Sequence, residues 1–252
     1  MILEISGLAF GYGSGDTISD LGFSAGPGDL VSVLGPNGVG KTTLLKCINA
    51  IHRPKRGSVL VDGRSVLDMG AKETARNVGY VPQRSHTSGS TVFESVMIGR
   101  KPRIDVDIGD ADLSLVGRVI DLLGLSDIAQ KPVNAISGGE YQLVQIARAL
   151  VQQPRVVLLD EPTSNLDLKN QYAVLRTLTN IIRANDMCAV MTNHDLNQAL
   201  RYSNRFILMK AGRIFAAGGK EVITSENIRE VYGIDVTVSE VEGTQVVVPK
   251  EI

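Results

Sequence analysis

Gly35-Pro36-Asn37-Gly38-Val39-Gly40-Lys41-Thr42-Thr43 is the stretch that decides the architecture. Its first eight residues fit G-x-x-x-x-G-K-[ST], in which glycines let the backbone curl until successive N–H groups point at phosphate oxygens. Lys41 would sit on the outer phosphates as a point charge. Thr42 would give its hydroxyl to Mg²⁺, which keeps most of its waters and takes few protein ligands. Upstream, Leu30-Val31-Ser32-Val33-Leu34 is a short apolar run that predicts a buried strand. Downstream, Leu44, Leu45, Ile48 and Ile51 recur at helical spacing and predict a helix over 42–51. The pattern alone also fits an ordinary glycine-rich turn. Strand, loop and helix together aim a helix N-terminus at an anion, which favours a nucleotide.

The chain has 252 residues, 43% of them hydrophobic, enough for one large domain or two modest ones with a proper core. A net charge of −1 gives no global basic field, so a general nucleic-acid binder is not expected. The one basic cluster, His52-Arg53-Pro54-Lys55-Arg56, reads as a solvated loop after the first helix. Cys47 and Cys188 read as core thiols without metal-ligand spacing, although a bridge between them stays open from sequence; this points to a reducing compartment and no structural zinc. Met1-Ile2-Leu3-Glu4-Ile5 shows no basic segment followed by an apolar one, and no window approaches a transmembrane length. Any membrane role is therefore expected to come through a partner.

Residues 1 to about 85 read as β-rich, with strands at 2–5, 30–34 and 58–61. From 90 to about 153 the periodicity turns helical. Leu113, Val116, Val119, Ile120 and Leu123 mark one amphipathic helix, and Leu143, Ile146, Ala147 and Leu150 another. The α/β pattern resumes with a buried strand at 156–159, a helix at 170–184, and strands at 188–192, 206–209 and 214–217. The end reads as a short helix and a hairpin turning at Glu242-Gly243. No internal repeat or low-complexity tract is present.

Four further motifs carry chemistry. Asp160 and Glu161 end the apolar run Val156-Val157-Leu158-Leu159, at the edge where open α/β sheets bind ligands. Asp160 would hold the Mg²⁺ shell and Glu161 would polarise the attacking water as general base. Exposed strand-end carboxylates are the plain alternative; the apolar strand before and Pro162-Thr163 after favour the functional reading. Ser137-Gly138-Gly139-Glu140 spells a capping box, and the same helix N-terminus, with two glycines, offers backbone N–H groups to a γ-phosphate. A lone histidine is usually structural, but His194 follows a core strand downstream of Asp160 and Glu161, a position that considerably raises the case for a catalytic role. Gln83 is uncharged and suits hydrogen bonding to a water or a metal ligand. Tyr12 could stack on a base or simply sit on a turn.

Together these residues resemble the ATP-binding subunits of ABC transporters over nearly the whole chain, here 1–252 as one domain with a helical signature subdomain at about 90–153. Gly35 to Thr42 resembles the Walker A loop, Gln83 the Q-loop, Ser137 to Glu140 the signature, and Val156 to Asp160 with Glu161 the Walker B segment. Ser164-Asn165-Leu166-Asp167 resembles the D-loop and His194 the switch histidine. The resemblance implies a P-loop α/β core, Mg²⁺ and ATP, and a head-to-tail dimer with each ATP between one subunit's phosphate loop and the other's signature. It also implies membrane permease partners, an indirect link to a substrate-binding protein, and a peripheral place on the cytoplasmic face of the cell membrane. Two departures are visible: Glu140 and Tyr141 stand where Gln and a basic residue are common, and Leu143 where a cation is frequent. The glutamate resembles the vitamin B12 importer branch.

Residues 91–102 and 226–233 resemble importers of ferric siderophores, haem and cobalamin. Phe93, Val96, Met97 and Ile98 of the first segment are expected to give the permease an apolar surface. A non-transport ABC ATPase, in iron–sulfur assembly or linked to nucleic acid, is the rival reading.

Overall fold

The structure is a computed structural model describing residues 1–83, 89–105, 107–164 and 166–250. Its elements run, in order, β1 (Leu3–Phe10), β2 (Ile18–Ala25), β3 (Leu30–Leu34), α1 (Lys41–Ile48), β4 (Arg56–Val61), β5 (Arg64–Ser65), α2 (Ala71–Asn77) and β6 (Val78–Val81). Next come α3 (Val92–Ile98), α4 (Asp110–Leu122) and α5 (Gly138–Leu150), and then β7 (Val156–Asp160), α6 (Leu168–Ala184), β8 (Cys188–Thr192), α7 (Leu196–Tyr202) and β9 (Arg205–Lys210). β10 (Arg213–Gly218), α8 (Ser225–Tyr232), β11 (Val236–Val241) and β12 (Thr244–Pro249) complete the described chain.

A six-stranded sheet in the order β10-β9-β3-β8-β7-β6 forms the centre. Its strands from β9 to β6 are all parallel, and β10 pairs antiparallel at the edge. Strands β3, β7 and β8 are buried at every position, which is why they read as unbroken apolar runs rather than alternating ones. A second, antiparallel sheet in the order β2-β1-β4-β5 covers α1 from the other side, with Leu44, Leu45 and Ile48 fully buried between the two. Strands β11 and β12 form a separate hairpin.

The expected β-rich start, helical middle and returning α/β pattern are present. Five elements were not anticipated: β2, β5, α2, β6 and α7. β2 is interrupted by Asp20 at φ 55°, and α2 and β6 are short and follow each other without a turn. The first helix stops at Ile48, so Ile51 lies beyond it, about half exposed. Leu113 in α4 is exposed, while Val116, Val119, Ile120 and Leu123 enter the core as their spacing predicts. The terminal hairpin turns at Glu242 and Gly243, both with positive φ, as read from the sequence.

Helices α3, α4 and α5 lie between β6 and β7 along the chain, and the arginines after α3 tie it to α4, to α2 and to the end of α5. Arg100 pairs with Asp112 of α4 at 2.8 Å, both largely buried, and donates to the Val151 carbonyl at 2.8 Å. Arg103 donates to the carbonyls of Arg76, Gln152 and Gln153 at 2.8, 3.0 and 3.0 Å. The unpaired carbonyls beyond the end of α5 thereby gain cationic donors.

The apolar segment expected to face a permease is corrected in part. Val96 is fully buried and Met97 is 9% exposed in the core between α3, α4 and α5, with Phe93 packed against it. Only Ile98, 47% exposed, faces outward. We expect Met97→Asp to lose cooperative folding, because a carboxylate placed there costs several kcal/mol. Ile98→Asp should move the unfolding free energy by no more than about 0.5 kcal/mol. Urea unfolding of the two variants checks the assignment; equal destabilisation would contradict it.

Candidate active site

Strands β3, β6, β7 and β8 are parallel, so their C-terminal ends open on one edge of the sheet. Gly35 leaves β3 there, Gln83 follows β6, Glu161 follows β7, and His194 lies just past β8. Residues separated by more than 150 positions are thus delivered to one place by strand direction alone.

The phosphate loop ends at α1, whose N-terminus receives no side-chain cap and has no acidic residue in its first turn. Its backbone N–H groups and the positive end of its dipole are therefore left for an anion. Gly40 has φ 106°, and a Cβ there would come 2.5 Å from Ile18 Cγ2, so the turn into the helix requires glycine. Pro36, Asn37 and Gly38 are exposed at the loop tip, whereas Gly35, Val39, Gly40, Lys41 and Thr43 are buried and Thr42 lies between. Lys41 Nζ spans the loop, donating to the carbonyls of Gly35 and Pro36 at 2.7 and 3.0 Å. Burial holds its ammonium below the usual lysine range, and the charges of Glu161 and Asp160 partly oppose that.

Asp160 is 2% exposed. Its Oδ1 accepts from Thr42 Oγ1 at 3.0 Å and from Thr192 Oγ1 at 2.8 Å. Thr192 Oγ1 in turn accepts the Glu161 N–H at 2.9 Å, so one hydroxyl serves both carboxylate residues. Glu161 holds φ 50°, in the left-handed region that a non-glycine residue occupies at a cost of about 1 kcal/mol or more. That backbone turn sends its side chain to Gln83 Nε2 on one oxygen and His194 Nε2 on the other. Hydroxyl and carboxylate oxygens are the hard ligands that suit Mg²⁺; Thr42 and Asp160 provide them side by side, whereas Gln83 bonds Glu161.

Ser137 and Glu140 form the expected capping box on α5: Ser137 Oγ accepts the Glu140 N–H at 3.2 Å, and Glu140 accepts the Ser137 N–H at 2.7 Å. Those bonds keep the Glu140 carboxyl below its usual range, the Ser137 backbone N–H contributing most. The glutamate therefore does at this position what a glutamine would do for the cap. The Ser137 hydroxyl also hydrogen-bonds the Glu140 carboxyl. A Cβ at Gly138 would meet nothing within 4 Å, so this helix end is open, while one at Gly139 would come 3.0 Å from Leu166. Leu143 and Tyr141 pack against the core of the helical layer, which accounts for an apolar residue at 143. Of the D-loop, Ser164, Leu166 and Asp167 are described, with Asp167 capping α6 through the Asn170 N–H at 2.8 Å; Asn165 lies outside the described residues.

Tyr12 is 67% exposed, and its edge meets Phe10 and His52 with ring centroids 5.1 and 5.2 Å away. His52 stacks on Phe10 at 4.8 Å and bonds the Tyr12 hydroxyl at 3.0 Å. The basic loop is thus not wholly solvated. Lys55 and Arg56 also pair with Asp16 at 3.2 and 3.1 Å, pinning the loop that carries Tyr12. A Cβ at Gly11 would lie 1.9 Å from the Gly15 carbonyl oxygen, so that loop closes only on glycine. Cys47 and Cys188 are free buried thiols, both pushed up to about 12 by burial, and take no part in the site.

Thr192 and Tyr80 were missed from sequence. Tyr80, on β6, has its phenol pushed up by burial first and by the neighbouring Asp160 charge second. A threonine ending a buried strand carries no signal of its own; parallel pairing with Asp160 gives it one.

A family model described as ABC transporter matches residues 18–164, and the chain belongs to that family. It is 48% identical over 249 residues to an uncharacterized ABC transporter ATP-binding protein of Methanocaldococcus jannaschii, covering 99% of this chain and 98% of the relative. To the ferric enterobactin transport ATP-binding protein FepC of Escherichia coli it is 35% identical over 248 residues, covering 96% and 92%. A solved ABC transporter, of metal-chelate type by its description and in an inward-facing conformation, superposes with a TM-score of 0.85 at 30% identity, covering 99% and 98%.

Thr192→Val keeps the shape but removes the Asp160 donor and the Glu161 N–H acceptor. We expect a loss of about 1–3 kcal/mol in unfolding free energy and a clear fall in ATP turnover, both largely restored by Thr192→Ser. Denaturant titration beside a phosphate-release assay checks this; wild-type turnover for the valine variant would remove Thr192 from the site.

Proposed function

We propose that this chain is the ATP-hydrolysing subunit of an importer for a metal chelate or corrinoid, such as a ferric siderophore, haem or cobalamin. Residues 1–252 act as one ABC ATPase domain, with the helical subdomain at about 90–153 inside it. The relatives named for ferric enterobactin and for metal chelates support the cargo class. No described helix is long and apolar enough to cross a membrane, which is consistent with a subunit that sits on the cytoplasmic face against permease subunits and, through them, serves a substrate-binding protein.

The observation that carries the mechanism is the presence of two phosphate-binding helix ends that nothing joins. Among the described residues, no hydrogen bond or ion pair links Ser137–Glu140 to the phosphate loop, and the Gly138 side of α5 is open. A second copy, head to tail, closes the site: the phosphate loop of one chain holds ATP, and the signature of the other meets the γ-phosphate with Ser137, Gly138, Gly139 and the Glu140-capped turn. Tyr12 offers its exposed face to the adenine. Residues 35–43 cradle the phosphates, and Lys41 leaves the Gly35 and Pro36 carbonyls to neutralise their outer oxygens. Thr42 and Asp160 would hold Mg²⁺, with Gln83 near enough through Glu161 to hydrogen-bond its ligands, and the ion would supply neutralisation of the phosphate charge. Glu161 accepts the proton of the attacking water, and His194, bonded to the same carboxylate, orients it.

Glu161→Gln retains shape and loses the proton acceptor. Turnover should fall by a factor of about 100 or more, with nucleotide affinity kept within a few-fold; steady-state phosphate release beside nucleotide titration decides it, and near-wild-type turnover would remove Glu161 as the base.

The shared site has its own test, in a Glu161→Gln background so that trapped ATP survives. Lys41→Ala disables one half-site and Ser137→Arg the other, so neither homodimer has an intact site. Mixed, they rebuild one. ATP-dependent crosslinked dimer is expected in the mixture and not in either variant alone; equal crosslinking in all three samples would reject the head-to-tail arrangement.

A further inference from the structure

Helices α6 and α7 both border the loop that leaves β7, and a pair of glutamines joins them there. Gln171 Nε2, on α6, donates to the carbonyls of Thr163 and Leu166 at 3.2 and 3.0 Å. Two carbonyls can be met only by the amide nitrogen, so the orientation of this side chain is determined by its partners. Its Oε1 then faces the other way and accepts Gln198 Nε2, on α7, at 2.6 Å. Gln198 Oε1 is left to accept the Thr163 hydroxyl at 3.4 Å. Gln198 and Thr163 are 5% and 7% exposed, so water does not easily replace these bonds.

The chain of donors closes a ring. α7 starts at the residue after Asp195, whose carboxylate caps it through the Asn197 and Gln198 N–H groups at 2.8 and 3.1 Å. His194 precedes that cap and reaches back to Glu161, the first residue of the β7 loop. A cleft of about 180 Å³ lies inside, lined by Glu161, Thr163, Gln171, His194 and Gln198 among others. His194 itself is exposed, its side chain at 44%.

We propose that Gln171 and Gln198 are positioning residues: the amide bridge between α6 and α7 holds His194 against Glu161 during turnover. The proposal rests on the reading of Glu161 and His194 as the reacting pair. Neither glutamine touches a reacting atom. Their part is to keep the loop carbonyls and the start of α7 at one separation, which sets where the imidazole stands relative to the carboxylate.

The test measures phosphate release by the full chain at varied Mg-ATP for Gln171→Leu, Gln198→Leu and His194→Ala, and for Gln171→Leu combined with His194→Ala. Each glutamine variant should lower kcat about 5- to 20-fold with KM within twofold. In the His194→Ala background Gln171→Leu should cost nothing more, since the residue it positions is gone. A second pair keeps the test independent of folding losses. Gln171→Lys donates to the carbonyls but cannot accept from Gln198, and Gln198→Glu faces the Gln171 oxygen with a carboxylate, so each alone should be impaired. Together they restore every donor and acceptor, and kcat should return to within threefold of wild type. Wild-type kcat for folded Gln171→Leu, the same fold-loss in both backgrounds, or no recovery in the Lys/Glu double variant would each overturn the proposal. If His194→Ala itself leaves kcat unchanged, the reading of the catalytic pair fails, an outcome distinct from failure of the bridge.

Discussion

The carboxylate of Asp160 is buried at the end of β7, and a buried carboxylate without donors costs several kcal/mol. Its donors come from two other elements: Thr42 opens α1 after β3, and Thr192 ends β8. This requirement favours one register of three strands and a helix, because a shift of any of them would cost the buried charge a donor. Thr192 also holds the Glu161 N–H, so the same hydroxyl that satisfies the Asp160 carboxylate fastens the backbone turn at Glu161. The site is therefore held together by its own chemistry as much as by the apolar layers around it.

Helix ends divide the labour around that centre. Five helices receive a side-chain cap: α3 from Thr91, α5 from Ser137, α6 from Asp167, α7 from Asp195 and α8 from Thr224. Helices α1, α2 and α4 receive none, but α2 and α4 carry acidic residues in their first turn, Glu73 in one and Asp110 and Asp112 in the other, and α1 has neither cap nor acid. A bare N-terminus is unfavourable in isolation and useful where an anion is to take the place of the cap. The N-terminal end of α5, by contrast, is closed by the reciprocal capping box of Ser137 and Glu140. Glu161 likewise stands in a conformation that glycine would adopt more readily, and the strain is held by bonds to Thr192, Gln83 and His194.

The insert shows how a local pattern can mislead about exposure. Residues 92–98 carry enough apolar side chains to suggest an outward surface, yet Val96 and Met97 meet α4 and α5, whose own apolar stripes were visible separately. Periodicity tells which residues share a helix face but not whether another helix covers that face. Arg100 and Arg103 were likewise ordinary basic residues in sequence; they become the fasteners of the insert only because the end of α5 presents its carbonyls to them.

The phosphate loop, the strand-end carboxylates, the capping box and the alternation of buried strands with amphipathic helices were determined by the sequence itself, because each depends on neighbours within a few residues: glycine conformations, cap spacing and the difference between periods of 2 and 3.6. The tertiary structure alone decided that Gln83 and His194 both bond Glu161, that Thr192 serves Asp160, and that Gln171 meets Gln198. Those pairings depend on the spatial order of the strands, β3-β8-β7-β6, which is not their order along the chain. Local spacing carries no record of that order, since it is set by how apolar faces pack over the whole sheet.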